Sequence, residues 1–364
     1  MLCICMGYVV HAQDSNTLKY ISFKKNGGLL YMPDKYGNTI PDFSKVGYLN
    51  GNKTLPHISI KKTVEPGSGN DQQAIQTAID EVSAMPVDKN GFRGAVLLKK
   101  GVYHIPGTIK INTSGVVLKG EGNATRVIAA GKGQRTLISV SGTGNIKEVV
   151  ESRQKISHAF VPSGAQSFNV SNATAYKEGD SIIVFRPGTA QWISDLKMNQ
   201  IDARDSNTRQ WPPQQYDFHF ERIITSIKGN TIFIDNPIVM QMEDKYGGGE
   251  IYKYNYTGRI SNIGIENIRC ESEYTNDKDE DHGWDAIKIN RTQNAWVKNV
   301  TAVYFGYSCV NLGNESRNIT VTDCKSLDPK SKIEGGRRYS FNNDGQMNLF
   351  MNCFASNGRH DYVT

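Results

Sequence analysis

Cysteine is scarce and badly placed for metal chemistry. Cys270, Cys309, Cys324 and Cys353 have neither C-x-x-C spacing nor paired histidines nearby, which excludes the usual zinc sites. Long apolar runs are missing too, since the N-terminal run MLCICMGYVVHA is too short to span a bilayer. No block of Lys and Arg interleaved with aromatics occurs, so no nucleic-acid-binding face is expected. Proline is sparse, 12 residues against 35 Gly. With 21% charged and 38% hydrophobic residues, the 364-residue chain matches neither a disordered segment nor a membrane bundle. It reads as soluble and globular, with room for a large core or two domains. The formal net charge of +6 is ordinary solubility charge, although it also suits an acidic partner such as a uronate-containing glycan.

What is abundant is the vocabulary of short strands and tight turns: Gly, Asn, Ile, Val, Thr and Tyr. A mostly β protein follows. Residues 1–12 end in Val10-His11-Ala12 and read as a signal-peptide apolar region with a small-residue cleavage site, lacking the basic stretch that normally precedes it. The alternative is a buried N-terminal strand. Export to the periplasm, cell surface or medium is expected, with Cys3 and Cys5 removed along with the leader.

The last hundred residues repeat. IGIENIRCES from Ile263, AWVKNVTAVY from Ala295, ITVTDCKSLD from Ile319 and NLFMNCFASN from Asn348 superimpose. Ile265, Val297, Val321 and Phe350 occupy one column, and Asn267, Asn299, Asp323 and Asn352 another two residues later. Such periods with strand-like alternation predict a solenoid, because one coil cannot bury its apolar face alone. Short polar side chains at a turn bond backbone groups and tolerate unusual dihedrals, so the Asn/Asp column is structural. A second apolar column pairs Ile287 and Ile289 with Val310 and Leu312 and with Tyr339 and Phe341. Cys324 and Cys353 share an interior column, where small thiols pack well and where an exported chain would be able to oxidise them.

Upstream, GNDQQAIQTAIDEVSA at 69–84 puts Ala74, Ile75, Ala78, Ile79 and Val82 on one helical face, which suits a cap over the first coil. The series DQQAIQTAID, AVLLKKGVYHIPGTIKI and GVVLKGEGNATRVI closely resembles the opening of pectate-lyase-superfamily proteins. The resemblance is strong over about residues 65–140, and residues 260–364 look like an uncharacterised bacterial branch of that superfamily. It implies an all-β, right-handed parallel β-helix with an N-terminal capping helix. This opening is shared by lyases, glycoside hydrolases, epimerases and phage tailspikes, so fold follows more safely than reaction.

Residues 156–258 break the coil rhythm and predict an inserted small β subdomain, with a helical piece around Trp192–Ile201 and aromatic surface at Trp192 and Trp211. The expected organisation is a leader at 1–12, an N-terminal extension at 13–64, the cap and first coils at 65–155, the insert at 156–258, and coils at 259–364. The repeat is still running at Gly358–Thr364, so further coils beyond Thr364 are expected.

Candidate chemistry gathers just before the second strand column. Aligning His282-Gly283-Trp284-Asp285, Phe305-Gly306-Tyr307-Ser308, Glu334-Gly335-Gly336-Arg337 and Gly358-Arg359-His360-Asp361 stacks glycines on one rung and Trp284, Tyr307 and His360 on the next. Arg338, Lys288 and Ser340 alternate with inward residues and are expected to face outward beside this strip. An acidic polysaccharide substrate fits. β-Elimination needs the uronate carboxylate neutralised and a base at the adjacent carbon. Arg338 takes the first role with Arg337 as alternate, and His360 the second with His282 or Lys288 as alternates. Trp284 and Tyr307 would stack on sugar rings, and Asp361 completes the substrate-binding set. Superfamily lyases commonly employ calcium in this chemistry, and Asp279 and Asp281 in the Asp277–Asp281 loop are the candidates for it, although their spacing is not that of an EF-hand. None of the family's catalytic motifs matches residue by residue. A glycoside hydrolase is the alternative, for which Asp285 and Asp361 offer an acidic pair. A non-catalytic glycan-binding or adhesin-like β-helix is the third reading.

Overall fold

The computed structural model describes residues 19–51 and 53–364, so the leader assigned to 1–12 lies outside the described residues. Two compact units form. One joins 44–147 to 255–364, and the other joins the described residues up to Phe43 to 148–254.

The first unit is a parallel β-helix built from two stacks of strands. The long stack runs through Ile60–Val64, Gly94–Leu98, Val116–Ala129, Ile260–Ser272, Thr292–Val303, Arg317–Thr322 and Leu349–Met351, all paired in parallel. Ile265 pairs with Val297, Val297 with Val321, and Val321 with Phe350. The first three of these side chains are fully buried. Each such burial is worth roughly 1.5–3 kcal/mol, so the apolar column holds the coils in register. The Asn/Asp column stacks as the sequence predicts: Asn267, Asn299, Asp323 and Asn352 have φ of 56°, 52°, 57° and 53°. Left-handed backbone is costly for most residues other than glycine, and least so for short polar ones among them, and Asn299 Nδ2 donates to Asn267 Oδ1 at 2.8 Å. A second left-handed column lies five residues earlier, at Asn262, Asn294, Asn318 and Met347. Its mixed composition hides it in the sequence.

The helix Gln72–Ser83 buries Ile75, Ala78, Ile79 and Val82 into the same core as the first coils, which is what a cap must do. Cys270, Cys309 and Cys324 are buried, Cys353 is half-buried, and all four thiols are free.

The short stack contains Ile109–Ile111, Arg135–Ser141, Gly283–Asn290, Ser308–Leu312, Tyr339–Asn343 and His360–Val363. Its register corrects the sequence alignment. Asp285 pairs with Ser308, Val310 with Phe341, and Tyr339 with His360. Phe341, not Tyr339, therefore continues the Ile287–Val310 column. The alternation itself slips, because Ala286 and Ile287, like Cys309 and Val310, are consecutive and both in the core. Ser340, in the next register position after Tyr339, is accordingly buried and not outward.

The second unit is antiparallel. Ser181–Arg186 pairs with Phe218–Lys228 and with Glu250–Asn255, around a separate core that includes Phe168, Ile182, Val184, Ile232 and Ile251. The N-terminal extension proposed at 13–64 is divided between units: Asn38 and Thr39 bond Ser163 in the second, whereas Tyr48 packs edge-on against Trp296 in the first. The helix expected around Trp192–Ile201 is shorter and earlier, at Ala190–Asp195, with the Thr189 side chain capping Trp192 N. Trp192 and Trp211 pack against each other and against Phe218 and Tyr216, and Arg186 lies over the Trp192 ring, so these rings are largely spent on packing.

Candidate functional site

The slip in alternation creates the site. With two consecutive residues turned into the apolar core, the residues on either side, Asp285 and Lys288, both turn away from it, and their columns flank a strip on the short stack. Lys288 pairs with Asn311, and Asn311 with Asn342. Asn311 Nδ2 donates to Asp285 Oδ1 at 3.1 Å, Asn342 Nδ2 donates to Asn311 Oδ1 at 3.1 Å and to Asp344 Oδ2 at 2.9 Å, and Thr136 Oγ1 donates to Asp285 Oδ2 at 3.3 Å. The result is a polar ladder climbing from Thr136 to Asp344.

Its two carboxyl groups differ in environment. Asp285 is only 4% exposed, and burial pushes its carboxyl up to about 6 against the opposing pull of Asn311, Lys288 and Thr136. Asp344 is exposed. Burial, with Asp344 and Asp285 nearby, pushes the Tyr307 phenol up to about 12, so it stays protonated.

Aromatic rings climb the strip on consecutive coils. Trp284 and Tyr307 are near-parallel with centroids 6.3 Å apart, Tyr307 and Tyr339 lie 5.3 Å apart, and Tyr339 meets His360 edge-on at 5.5 Å. Gly306 is required here, because a Cβ there would come within 2.5 Å of the Trp284 ring. Tyr339 is the ring that the sequence alignment placed inside.

The remaining predicted residues go elsewhere. His282 is 1% exposed; its Nδ1 meets Ser272 Oγ at 2.8 Å and its Nε2 meets the carbonyls of Lys330 and Asp279 at 2.8 and 3.2 Å. It braces a loop. Arg338 is buried, its Nη2 donates to the carbonyls of Asp277 and Ser331, and its Nε has no partner among the described residues. A guanidinium so committed is not placed to grip a uronate. Arg337 is paired with Glu280. Asp361 accepts from Ser340 Oγ at 3.0 Å in the buried column, one register position away from the column of Asp285, so these two do not form the acidic pair. His360 is exposed on the last strand, and Lys288 is half-buried beside Asp285.

The calcium candidates Asp279 and Asp281 already accept hydrogen bonds. Asp279 accepts from Thr275 N, Thr275 Oγ1 and Asp281 N, and Asp281 Oδ1 accepts from Gly133 N. Among the described residues no cluster of three or more His, Cys, Asp or Glu is arranged to hold an ion, and no helix is long and apolar enough to cross a membrane.

No family model matches the chain, and no curated protein does. Among solved structures it is similar to the tailspike gp61 of Pseudomonas phage phi297, at 16% identity over 71% of this chain and 38% of that one, with a TM-score of 0.37. It is also similar to the surface protein and adhesin PfbA of Streptococcus pneumoniae, at 12% identity over 82% and 54% of the two chains, TM-score 0.36. A third is the catalytic unit of the GH87 alpha-1,3-glucanase from Streptomyces thermodiastaticus, at 11% identity over 76% and 33%, TM-score 0.28. The chain thus spans less than two thirds of the length of each of these proteins.

Proposed function

We propose that the strip on the short stack is the working surface of an exported carbohydrate-active enzyme that cleaves a glycosidic bond by hydrolysis. The observation that carries this reading is the Asp285 carboxyl, pushed up to about 6 on a strip of stacked aromatic rings. An acid that keeps its proton near neutrality can give it to a leaving-group oxygen. Asp285 donates to the glycosidic oxygen, the exposed Asp344 takes a proton from the water that attacks the anomeric carbon, and the C–O bond breaks to give two free sugar ends. Asp285 and Asp344 lie two coils apart, about 9–10 Å along the stack alone at ~4.8 Å per coil, which puts them at or beyond the upper end of the roughly 6.5–9.5 Å of inverting glycosidases and well outside the roughly 5–5.5 Å of retaining ones. Trp284, Tyr307 and Tyr339 provide ring faces for sugars, and the side chains of Asn311 and Thr136 hold the Asp285 carboxyl in place.

Elimination on a uronate polymer, implied by the resemblance to pectate-lyase-superfamily proteins, retains His360 and Lys288 as bases but loses Arg338 as the carboxylate clamp. Purified protein is screened against neutral and acidic polysaccharides, reading both reducing ends and the absorbance of unsaturated uronate. Hydrolysis gives new reducing ends without that absorbance, and Asp285→Asn lowers the rate by about 10²-fold or more. An absorbing product establishes a lyase and refutes the hydrolytic reading. Retention on a polysaccharide gel without turnover leaves a binding module.

A further inference from the structure

A cleft of about 410 Å3 lies on the long stack, on a different sheet from the strip of Asp285. Its base is a fixed grid of charge. Arg126 forms a two-pronged pair with Glu271, Nε to Oε1 at 2.9 Å and Nη2 to Oε2 at 2.8 Å, and Arg269 bonds the same carboxylate. Those two guanidiniums hold the Glu271 carboxyl below the usual carboxylate range. The Arg126 side chain is nevertheless 45% exposed.

One wall is aromatic. Tyr274 and Tyr304 stand with centroids 4.9 Å apart and planes tilted by 50°, making an open notch. Lys330 Nζ sits over both rings, 5.2 and 5.6 Å from their centroids, and is tied to Asp277 at 2.8 Å. Tyr304 has φ of 71°, a conformation that an aromatic residue adopts at a cost and that tends to be retained at binding sites. Tyr274 is 40% exposed, so core packing does not account for it.

We propose that this cleft is a subsite for one pyranose residue of a neutral glycan, separate from the strip of Asp285 and independent of the reaction assigned there. Its volume is in the range of small-molecule sites. The tyrosine notch presents ring surface to the apolar face of a sugar. The Arg126–Glu271 pair sets a donor beside an acceptor, which matches neighbouring hydroxyls that each donate and accept. Arg126 and Arg269 share Glu271, a second carboxylate, Glu273, lines the same cleft, and Lys330 is paired with Asp277, so these cations and carboxylates balance and leave no net positive charge to demand an anionic sugar.

The test begins by removing the other strip's rings with Trp284→Ala and Tyr339→Ala together, then titrating this protein calorimetrically with gluco-, manno-, galacto- and xylo-oligosaccharides. At least one oligosaccharide is expected to bind this background, and adding either Tyr274→Ala or Arg126→Gln is expected to weaken it at least fivefold. Both of those side chains are well exposed, and unchanged circular dichroism verifies that the fold persists. Binding absent from the background protein, or indifferent to both added changes, overturns the subsite. Binding that persists here in a protein with no turnover leaves the subsite standing and removes only the enzymatic reading.

Discussion

Replacing Asp285 by Asn separates stability from chemistry at the strip. The carboxyl stands at about 6 in the folded chain against 3.8 for the free group, because burial penalises the anion more than Asn311, Lys288 and Thr136 favour it. Between these values the folded chain keeps a proton that the unfolded chain has released. The stability linked to this group is therefore full below about 3.8, falls as the pH rises, and is lost once the pH passes about 6. At ~1.4 kcal/mol per pH unit the interval from 3.8 to about 6 is worth roughly 3 kcal/mol. An Asn at this position cannot ionise, and it retains both partners: its Oδ1 accepts from Asn311 and its Nδ2 donates to the Thr136 hydroxyl. Urea unfolding followed by tryptophan fluorescence, repeated from about pH 4 to about pH 8, measures the difference. The variant is expected to match wild type within ~1 kcal/mol at the acid end and to exceed it by roughly 2–3 kcal/mol at the alkaline end, while losing turnover. A stabilising change that abolishes activity is the signature of a group kept at a cost for its chemistry. Parallel stability curves for the two proteins across this range, or a variant weaker than wild type at about pH 8, refute the reasoning.

Two further outcomes follow from the geometry. Asn299→Ala puts a β-carbon into left-handed backbone and removes the bond to Asn267, so it is expected to cost roughly 2 kcal/mol, while Asn299→Gly recovers about half of that in the same urea measurement. Arg338→Ala leaves the carbonyls of Asp277 and Ser331 without their donor and is expected to cost about 1–3 kcal/mol. Hydrogen exchange quickens in the loop 328–337, and Arg338→Lys rescues only part of the loss; a variant as stable as wild type contradicts a bracing role.

How far the sequence reaches is clearest from two columns. The Asn/Asp column was legible because one position is left-handed in every coil, and in this column Asn or Asp fills it each time. The neighbouring left-handed column was not, since Met347 stands among its asparagines. Columns on the long stack are legible for the same reason, because strand alternation there is interrupted at the Asn or Asp of each coil. The short stack departs from the sequence pattern at Tyr339, because two consecutive inward residues break the period of two.

Alternating apolar residues and the Asn/Asp repeat by themselves determined a parallel coil stack with a helical cap, because burial and backbone sterics act on every coil alike and leave a periodic trace. The site had no such trace. Whether Arg338 and His282 reach solvent, whether Tyr339 points in or out, and whether the Asp285 carboxyl is pushed up to about 6 depend on loops and on neighbours one coil away. Desolvation and hydrogen bonding are summed over those neighbours in space, so only the tertiary structure decided them.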